Sequence, residues 1–178
     1  WIRDINKGKG TQATSFIPKG LFGYNPNQAT YTYDLKKSEE YFKKAHGGKI
    51  WESGFKFTIA YNAGNQPREA IALMLKRAIE SINPNFKIDT RPIQWSTFLH
   101  EYELSKLSIF IMGWAPDYPD PHNFAFPILH SKGNYPESQH YHNPEVDRLI
   151  SLAMTEVDLQ KRSKIYYRLQ NLAYEDVP

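Results

Sequence analysis

The chain has 178 residues, and its 22 Lys and Arg side chains exceed its 19 Asp and Glu side chains by a formal net charge of +3. The shares of hydrophobic residues (40%) and charged residues (23%) are those of an ordinary globular protein and argue against intrinsic disorder. No Lys and Arg cluster follows one face, so nothing indicates nucleic-acid binding. The absence of cysteine excludes thiol nucleophiles, disulfides and thiolate metal sites. The aromatic share of 15% favours a surface that holds a ligand by stacking and burial.

The two ends of the sequence predict a piece of a longer protein. The chain begins with Trp1, shows no signal-peptide pattern, and ends at Pro178 directly after a helical pattern. Over 1–33, glycines, prolines and scattered aromatic residues show no helical or strand periodicity, so we expect an irregular entry segment there. We expect a single α/β domain over 34–178.

Residues 34–113 predict alternating helices and strands. Alternating or uninterrupted apolar residues predict strands, and apolar residues at spacings of three and four predict helices. This order of elements is typical of an α/β sheet with helices on its faces. The most apolar strand, over 107–113, is expected at the centre of the sheet. The predicted elements are a helix that Asp34 caps and Gly47 and Gly48 end, strands over 55–61, 86–92 and 107–113, and helices over 67–82 and 96–104.

The remainder of the chain predicts a long loop followed by two helices. Prolines at five positions make 114–143 a predicted loop. Asn143 is a good N-cap with Pro144 at the first helical position behind it, and Asp158 is a good N-cap for the last helix.

The segment that follows the third predicted strand carries the functional signal. Ligands of open α/β sheets gather at the carboxyl ends of strands. Gly113 allows a turn or a close approach to a ligand, and the prolines behind it stiffen the loop. Trp114, Asp117 and Tyr118 place a carboxylate between two aromatic rings, which suits a cationic or amine-bearing ligand. Taken alone, the same residues also fit a Pro-Asp turn with packed aromatic rings.

This segment resembles the signature loop of the extracytoplasmic solute-binding proteins of ABC transporters for dipeptides, oligopeptides and nickel. The family pattern is Gly-Trp-x-x-Asp-Tyr-x-Asp-Pro-x-x-Phe. The matching positions are Gly113, Trp114, Asp117, Tyr118, Asp120, Pro121 and Phe124. Looser family patterns lie in the same order at 17–20, 31–35, 45–47, 141–150 and 170–178.

The resemblance implies an α/β fold, namely a periplasmic-binding-protein-like lobe of type II with a mixed sheet flanked by helices. It implies a substrate-binding component that captures extracytoplasmic peptides, or similar small solutes, by closure of two lobes and delivers them to a permease. Its ligand-binding residues would be Gly113, Trp114, Asp117 and Tyr118, with Asp117 holding the α-ammonium group of a peptide. Catalysis, cofactors and metals are not expected. The parent protein is expected to be a monomer in the periplasm or on the cell surface, where a lipid anchor would hold it.

One departure from the family pattern concerns the ligand carboxylate. Some members carry an arginine shortly before the Gly-Trp pair, whereas 108–112 contains no cation. A ligand carboxylate would then be met by Arg91, by Lys106 or by the missing lobe. Members that bind oligosaccharides or nickel complexes keep those ligands open as alternatives.

Histidines near the loop leave a metal site as an alternative. His140 and His142 would share one face of a strand and reach one ion. The alternative from another functional class is a metal-dependent hydrolase that uses Asp117, Asp120 and His122. No established hydrolase or metalloprotease motif supports it.

Two residues of the motif region have a structural interpretation. Asp120 is expected to brace the turn by accepting backbone N–H groups. Arg162 is expected to lie on the helix surface or to form a salt bridge between elements.

Overall fold

Three parallel strands organise the first of two parts of the chain. They are β1 (Phe55–Asn62), β2 (Phe86–Ile93) and β3 (Ile109–Ile111), and their order in the sheet is β2-β1-β3. The computed structural model describes residues 2 and 5–178; Trp1, Arg3 and Asp4 of the predicted irregular segment lie outside the described residues.

The chain packs as two compact units. The sheet unit comprises Trp1–Lys9 and Thr32–Gly113, and the helical unit comprises Gly10–Tyr31 and Trp114–Pro178. The expected bounds, an irregular segment over 1–33 and one domain over 34–178, stay a prediction, because a division into compact units does not by itself define domains.

The sheet unit contains four α-helices in the described residues. They are α1 (Leu35–Lys44), α2 (Lys49–Ser53), α3 (Gln66–Glu80) and α4 (Trp95–Glu103), with a 3-10 turn at Ala45–Gly48 between the first two. The Asp34 carboxylate accepts a hydrogen bond from the Lys37 backbone and caps α1, as predicted. The predicted stop at Gly47 and Gly48 comes after the helix itself, because the left-handed backbone begins already at His46.

Helices cover both faces of the sheet. Because side chains alternate along a strand, Ile59 and Tyr61 of β1 point to one face, where they join Ala72 of α3 in a buried cluster. On the other face, Phe110 of β3 meets the rings of α4 edge to face, and Phe98 is among them at 6.2 Å. The predicted α/β class is therefore confirmed.

Two details of the predicted sheet are wrong. Both described strand pairs are parallel, so these strands do not form a mixed sheet. The physical reason is that a helix lies in each connection, and such crossovers join parallel strands. The strand predicted over 107–113 spans only Ile109–Ile111 and lies beside β1, which is the central strand. Its apolar character reflects the aromatic cover that α4 provides and not a central position.

The helical unit has four α-helices and a core between them. They are α5 (His122–Leu129), α6 (Asn134–Gln139), α7 (Pro144–Thr155) and α8 (Leu159–Asp176). Fully buried side chains of α7 and α8, including Val146, Tyr166 and Leu169, form the core. The caps predicted at Asn143 and Asp158 are confirmed.

An irregular segment crosses this helical core and is fixed by one buried amide. The side chain of Gln170 in α8 is fully buried. Its Oε1 accepts hydrogen bonds from Ser15 Oγ at 2.7 Å and from the Asn25 backbone at 3.2 Å, and its Nε2 donates to the Gly23 carbonyl at 2.8 Å. Irregular backbone is stable at this place because its polar groups find partners on the helix.

The prediction of a continuous loop over 114–143 is wrong, because α5 and α6 lie within it. Helix α5 contains Pro127 and α6 contains Pro136, and proline is normally a helix breaker. Pro136 lies in the first turn of α6, where its missing N–H costs little. Pro127 lies deeper in α5, at its sixth residue. No helix in the described part of the chain combines the length and apolar character needed to cross a membrane.

Candidate ligand-binding site

A cavity of about 220 Å³ in the helical unit is lined by three of the motif residues. Trp114, Asp117 and Tyr118 line it from the loop, and α5 lines it from the other side. The residues that α5 contributes are His122, Asn123, Phe126 and Pro127. The predicted grouping of one carboxylate with two aromatic rings is therefore present in a single concavity.

The loop that carries these residues is stiff. Its three prolines, at 116, 119 and 121, each fix one backbone torsion. The Asp120 backbone donates to the Tyr118 carbonyl at 2.9 Å, and the Asn123 backbone donates to the Asp120 carbonyl at 3.1 Å. These consecutive turns lead directly into α5 and set the direction of each side chain.

Asp120 anchors the loop to α8. Its two carboxylate oxygens accept hydrogen bonds from the two terminal nitrogens of Arg162, each at 2.9 Å. Its Oδ1 also accepts from the His122 backbone at 2.8 Å. Desolvation by itself raises the pKa of Asp120, but the hydrogen bonds from Arg162 and His122 outweigh it and hold the pKa below its usual value. The structural roles expected for Asp120 and Arg162 are both confirmed.

Asp117 lies three residues earlier and has a different environment. Its backbone N–H donates to Asn123 Oδ1 at 3.0 Å. Its side chain is exposed at the cavity, and its carboxylate makes no hydrogen bond or ion pair with any residue that the structure describes. Asp117 therefore presents a carboxyl group that a ligand can reach.

The two aromatic residues differ in how firmly they are held. The Trp114 indole N–H donates to the Asn123 carbonyl at 2.6 Å, and the ring meets Tyr135 edge to face at 6.2 Å. Tyr118 is 46% exposed at the rim of the cavity. Trp114 thus forms a fixed wall, whereas Tyr118 offers open ring surface.

The structure shows no conformational need for glycine at position 113. Gly113 ends the sheet unit, and its backbone does not adopt the left-handed conformation that requires glycine. A Cβ atom at this position would meet Arg68 Nη2 at 3.5 Å, which is an ordinary contact distance. A ligand-binding role for Gly113 stays a prediction.

The two cations proposed to meet a ligand carboxylate line a separate cavity of about 320 Å³ in the sheet unit. Arg91 forms a bidentate ion pair with Glu101, at 2.7 and 2.8 Å. Lys106 precedes β3, so it lies at the amino end of the strand that Gly113 follows. The cation beside Gly113 is Arg68, whose Nη1 donates to Asn62 Oδ1 at 2.6 Å. A role for Arg91 or Lys106 toward a ligand carboxylate stays a prediction.

The histidine pair does not have the geometry expected for a metal site. His140 ends α6 with a left-handed backbone, so it does not share a strand face with His142. His142 instead lies 3.6 Å from the Asp147 carboxylate. Among the described residues, no group of three or more His, Cys, Asp or Glu side chains is placed to hold a metal ion.

His122, the histidine of the hydrolase alternative, lies on the wall of the cavity. Its Nδ1 is buried and has no hydrogen-bond partner in the described part of the molecule. Burial lowers the pKa of His122, against the attraction of Asp120, and so favours the neutral imidazole. Asp120 is engaged by Arg162, which leaves the proposed hydrolase triplet without a free second carboxylate.

A comparison with protein families identifies the family to which the chain belongs. The profile of the bacterial extracellular solute-binding proteins, family 5 Middle, matches residues 1–136. The chain belongs to this family. It is a family of solute-binding proteins and not of enzymes, which agrees with the expectation of a non-catalytic protein.

Curated relatives span nearly the whole chain at low identity. Heme-binding protein A of Haemophilus influenzae is 25% identical over 99% of this chain and 32% of its own length. The probable D,D-dipeptide-binding periplasmic protein DdpA of Escherichia coli is 26% identical over 98% of this chain and 33% of its own length. The chain therefore spans about a third of the length of these relatives.

Solved structures confirm the fold of the lobe. The dipeptide-binding protein of Pseudoalteromonas sp. SM9913 in complex with Met-Leu has a TM-score of 0.85 and 23% identity, covering 99% of this chain and 35% of that one. The oligopeptide-binding protein AppA of Bacillus subtilis in complex with a nonapeptide has a TM-score of 0.80 and 23% identity, covering 98% of this chain and 36% of that one. The predicted periplasmic-binding-protein-like lobe is confirmed.

Several residues of the cavity wall, Asn123 and Pro127 among them, were not singled out from the sequence. Asn123 contacts both Trp114 and Asp117, and Pro127 lines the cavity within α5. A sequence signal exists in retrospect: Asn123 and Pro127 are four residues apart, which is the spacing of a helical hydrogen bond. It was missed because the prolines of 114–143 predicted a loop.

Proposed function

We propose that the protein containing this chain is the substrate-binding component of an ABC transporter and captures extracytoplasmic peptides or similar small solutes. It acts in the periplasm or on the cell surface, with a lipid anchor in the second case, and delivers its ligand to a permease as a monomer. Family membership and the relatives named for dipeptides and oligopeptides support this proposal. The single observation that carries the site is the Asp117 carboxylate, exposed in a cavity beside Trp114 without a partner among the described residues.

The chemistry of the cavity favours a ligand with an ammonium group. An ionised carboxylate and an ammonium group form a charge-assisted hydrogen bond, which is stronger than one between neutral groups. The rings of Trp114 and Tyr118 add apolar surface and a π face for the cation. Asp117 is thus proposed to bind the amine of the ligand, with Gly113, Trp114 and Tyr118 as further ligand-binding residues.

Capture is proposed to work by closure of two lobes. Ligand contacts from both lobes favour the closed state, because a ligand shifts an equilibrium toward the state that it binds more tightly. One lobe alone makes only part of these contacts. We therefore expect the 178-residue chain by itself to bind peptides with millimolar affinity or not at all, and submicromolar binding in calorimetry would contradict the two-lobe proposal.

The amine contact is tested by calorimetry on the full-length protein with one peptide in two forms. Asp117→Asn is expected to weaken binding of the free-amine peptide at least about tenfold, the equivalent of about 1.4 kcal/mol. The N-acetylated peptide is expected to change little, because it carries no cation. Glu137→Gln, at an exposed position of α6, is the matched control and should alter neither affinity.

Equal losses for both peptide forms would contradict the amine contact. Binding of neither form by the wild-type protein would instead favour the alternative ligands, namely oligosaccharides or nickel complexes. Native mass spectrometry of what co-purifies with the full-length protein distinguishes these cases directly.

A further inference from the structure

The carbonyl of Asn123 is released from its helix by a proline. In an α-helix each carbonyl accepts from the N–H four residues later, and for Asn123 that residue is Pro127, which has no N–H. The freed oxygen accepts the Trp114 indole N–H at 2.6 Å. The hydrogen bond missing from α5 thus leaves an acceptor that holds Trp114 in the wall of the cavity.

The side chain of the same asparagine holds the neighbouring position. Asn123 Oδ1 accepts the backbone N–H of Asp117 at 3.0 Å and lies 3.4 Å from the Trp114 indole nitrogen. Asn123 itself is only 9% exposed and is fixed by its own backbone bond to Asp120. One buried residue therefore connects the aromatic wall, the ligand-facing carboxylate and the anchored end of the loop.

We infer that Asn123 is the positioning residue of the candidate site, and that Pro127 makes it so by releasing the Asn123 carbonyl. This inference rests on the proposed function, because it assigns Asn123 a task in binding through Asp117 and Trp114. Asn123 does not need to touch the ligand. It fixes the backbone from which the carboxylate meets the ammonium group.

Fixing the backbone at Asp117 determines how its carboxylate is oriented for a charge-assisted hydrogen bond. A carboxylate on a mobile loop loses conformational freedom when it binds, and that loss reduces affinity. With Asn123 in place, most of the loop is already ordered. Removing Oδ1 should therefore cost affinity for the amine while leaving the Asp117 carboxylate in the protein.

The binding test compares three variants of the full-length protein by calorimetry with the free-amine and N-acetylated peptides. Asn123→Ala is expected to lower affinity for the free-amine form about fivefold to tenfold and to lower the preference over the acetylated form by a similar factor. Asn123→Asp keeps the Oδ1 acceptor as well as the backbone carbonyl, and it should restore the preference to within about threefold of wild type. Asn25→Ala is the matched control, because Asn25 is equally buried and its Oδ1 also accepts a backbone N–H, but it does not line the cavity.

A second measurement reads the positioning without any ligand. Amide hydrogen exchange of Asp117 and the chemical shift of the Trp114 indole N–H are followed by NMR. Asn123→Ala should accelerate exchange at Asp117 at least about tenfold, and Pro127→Ala should shift the indole resonance, because a new helical N–H competes for the Asn123 carbonyl. Asn25→Ala should leave both signals unchanged.

The outcomes separate this inference from the proposed function. Unchanged Asp117 exchange in Asn123→Ala, or an unchanged preference for the free amine, would overturn the positioning role. A wild-type protein that does not prefer the free amine would overturn the amine contact of Asp117 in the proposed function, and with it the binding task of Asn123. If Asn123→Ala fails to fold, the indole shift of Pro127→Ala decides: no shift overturns the inference and a shift supports it.

Discussion

The base and the rim of the motif loop each carry one aspartate, and the two have opposite environments. Asp120, at the base, accepts two hydrogen bonds from Arg162 and one from the His122 backbone. Asp117, at the rim, is held only through its backbone, and its carboxylate has no partner in the described part of the chain. Two residues of the same type, three positions apart, thus have different environments.

The difference shows how one loop combines a rigid base with an exposed carboxylate. A carboxylate whose oxygens are all engaged contributes to stability and is closed to a ligand. A carboxylate without internal partners contributes little to stability and keeps its hydrogen-bonding capacity for a ligand. Mutations at the base should therefore change stability, and mutations at the rim should change binding. The following predictions test that division, beginning with the largest effect.

Arg162→Met should have the largest effect on stability. The change removes the partner of Asp120 and also the donor to the Ala153 carbonyl, which Arg162 Nε meets at 2.8 Å. Because the pair is only partly buried, we expect a loss of about 2–3 kcal/mol in the free energy of unfolding, measured by urea titration. Arg168→Met, on the same helix with an exposed partner at 3.8 Å, is the control and should cost at most about 0.5 kcal/mol. Similar losses for both variants would contradict the anchoring role.

Asp120→Asn should have the next largest effect, and it should depend on pH. The folded-state pKa of Asp120 lies below the unfolded value of about 3.9, so the carboxylate stabilises the protein fully above about pH 5. That contribution is lost as the pH falls through the folded pKa. We expect a loss of about 1–2 kcal/mol at pH 7 and a smaller one at pH 3, from denaturant titrations of both proteins. A loss of the same size at both pH values would argue against ionisation as its cause.

Tyr166→Phe tests whether the Tyr166 hydroxyl contributes to the anchoring of Asp120 by Arg162. Arg162 Nη2 lies 3.3 Å from the Tyr166 hydroxyl, which is longer than its bonds to Asp120. Desolvation raises the pKa of Tyr166 to about 12, so the hydroxyl stays neutral over the working range of pH. We expect thermal unfolding to report a loss of about 0.5–1 kcal/mol without dependence on pH between 5 and 9. A larger loss than that of Asp120→Asn would place the anchor at Tyr166 instead.

Asp117→Asn should have the smallest effect on stability. Its backbone bond to Asn123 does not involve the side chain, and the carboxylate has no described partner to lose. The free energy of unfolding should stay within about 0.5 kcal/mol of wild type, while amine binding falls as described above. A loss of 1 kcal/mol or more would show that Asp117, like Asp120, is structural.

Local sequence patterns predicted most helices and strands, because the interactions that produce these patterns act between residues only a few positions apart. The side chains of Asp34, Asn143 and Asp158 bind backbone N–H groups two or three residues ahead, so each helix start could be recognised from its own neighbourhood. The prediction of a loop over the proline-rich residues 114–143 failed for the same reason. Proline predicts a break from local geometry, whereas α5 persists around Pro127 because its apolar residues are buried in the helical unit.

The amino-acid sequence by itself determined the α/β class, the family resemblance and the placement of a carboxylate between two aromatic residues on a stiff loop. Only the tertiary structure decided the parallel strand order, the partner of Arg162 and the contacts of Asn123. Arg162 and Asp120 are 42 residues apart, and no local pattern specifies which of several acidic residues meets an arginine over such a distance. The physical reason is that capping and periodicity are short-range, while whether an aspartate is engaged, like Asp120, or exposed, like Asp117, depends on what packs beside it.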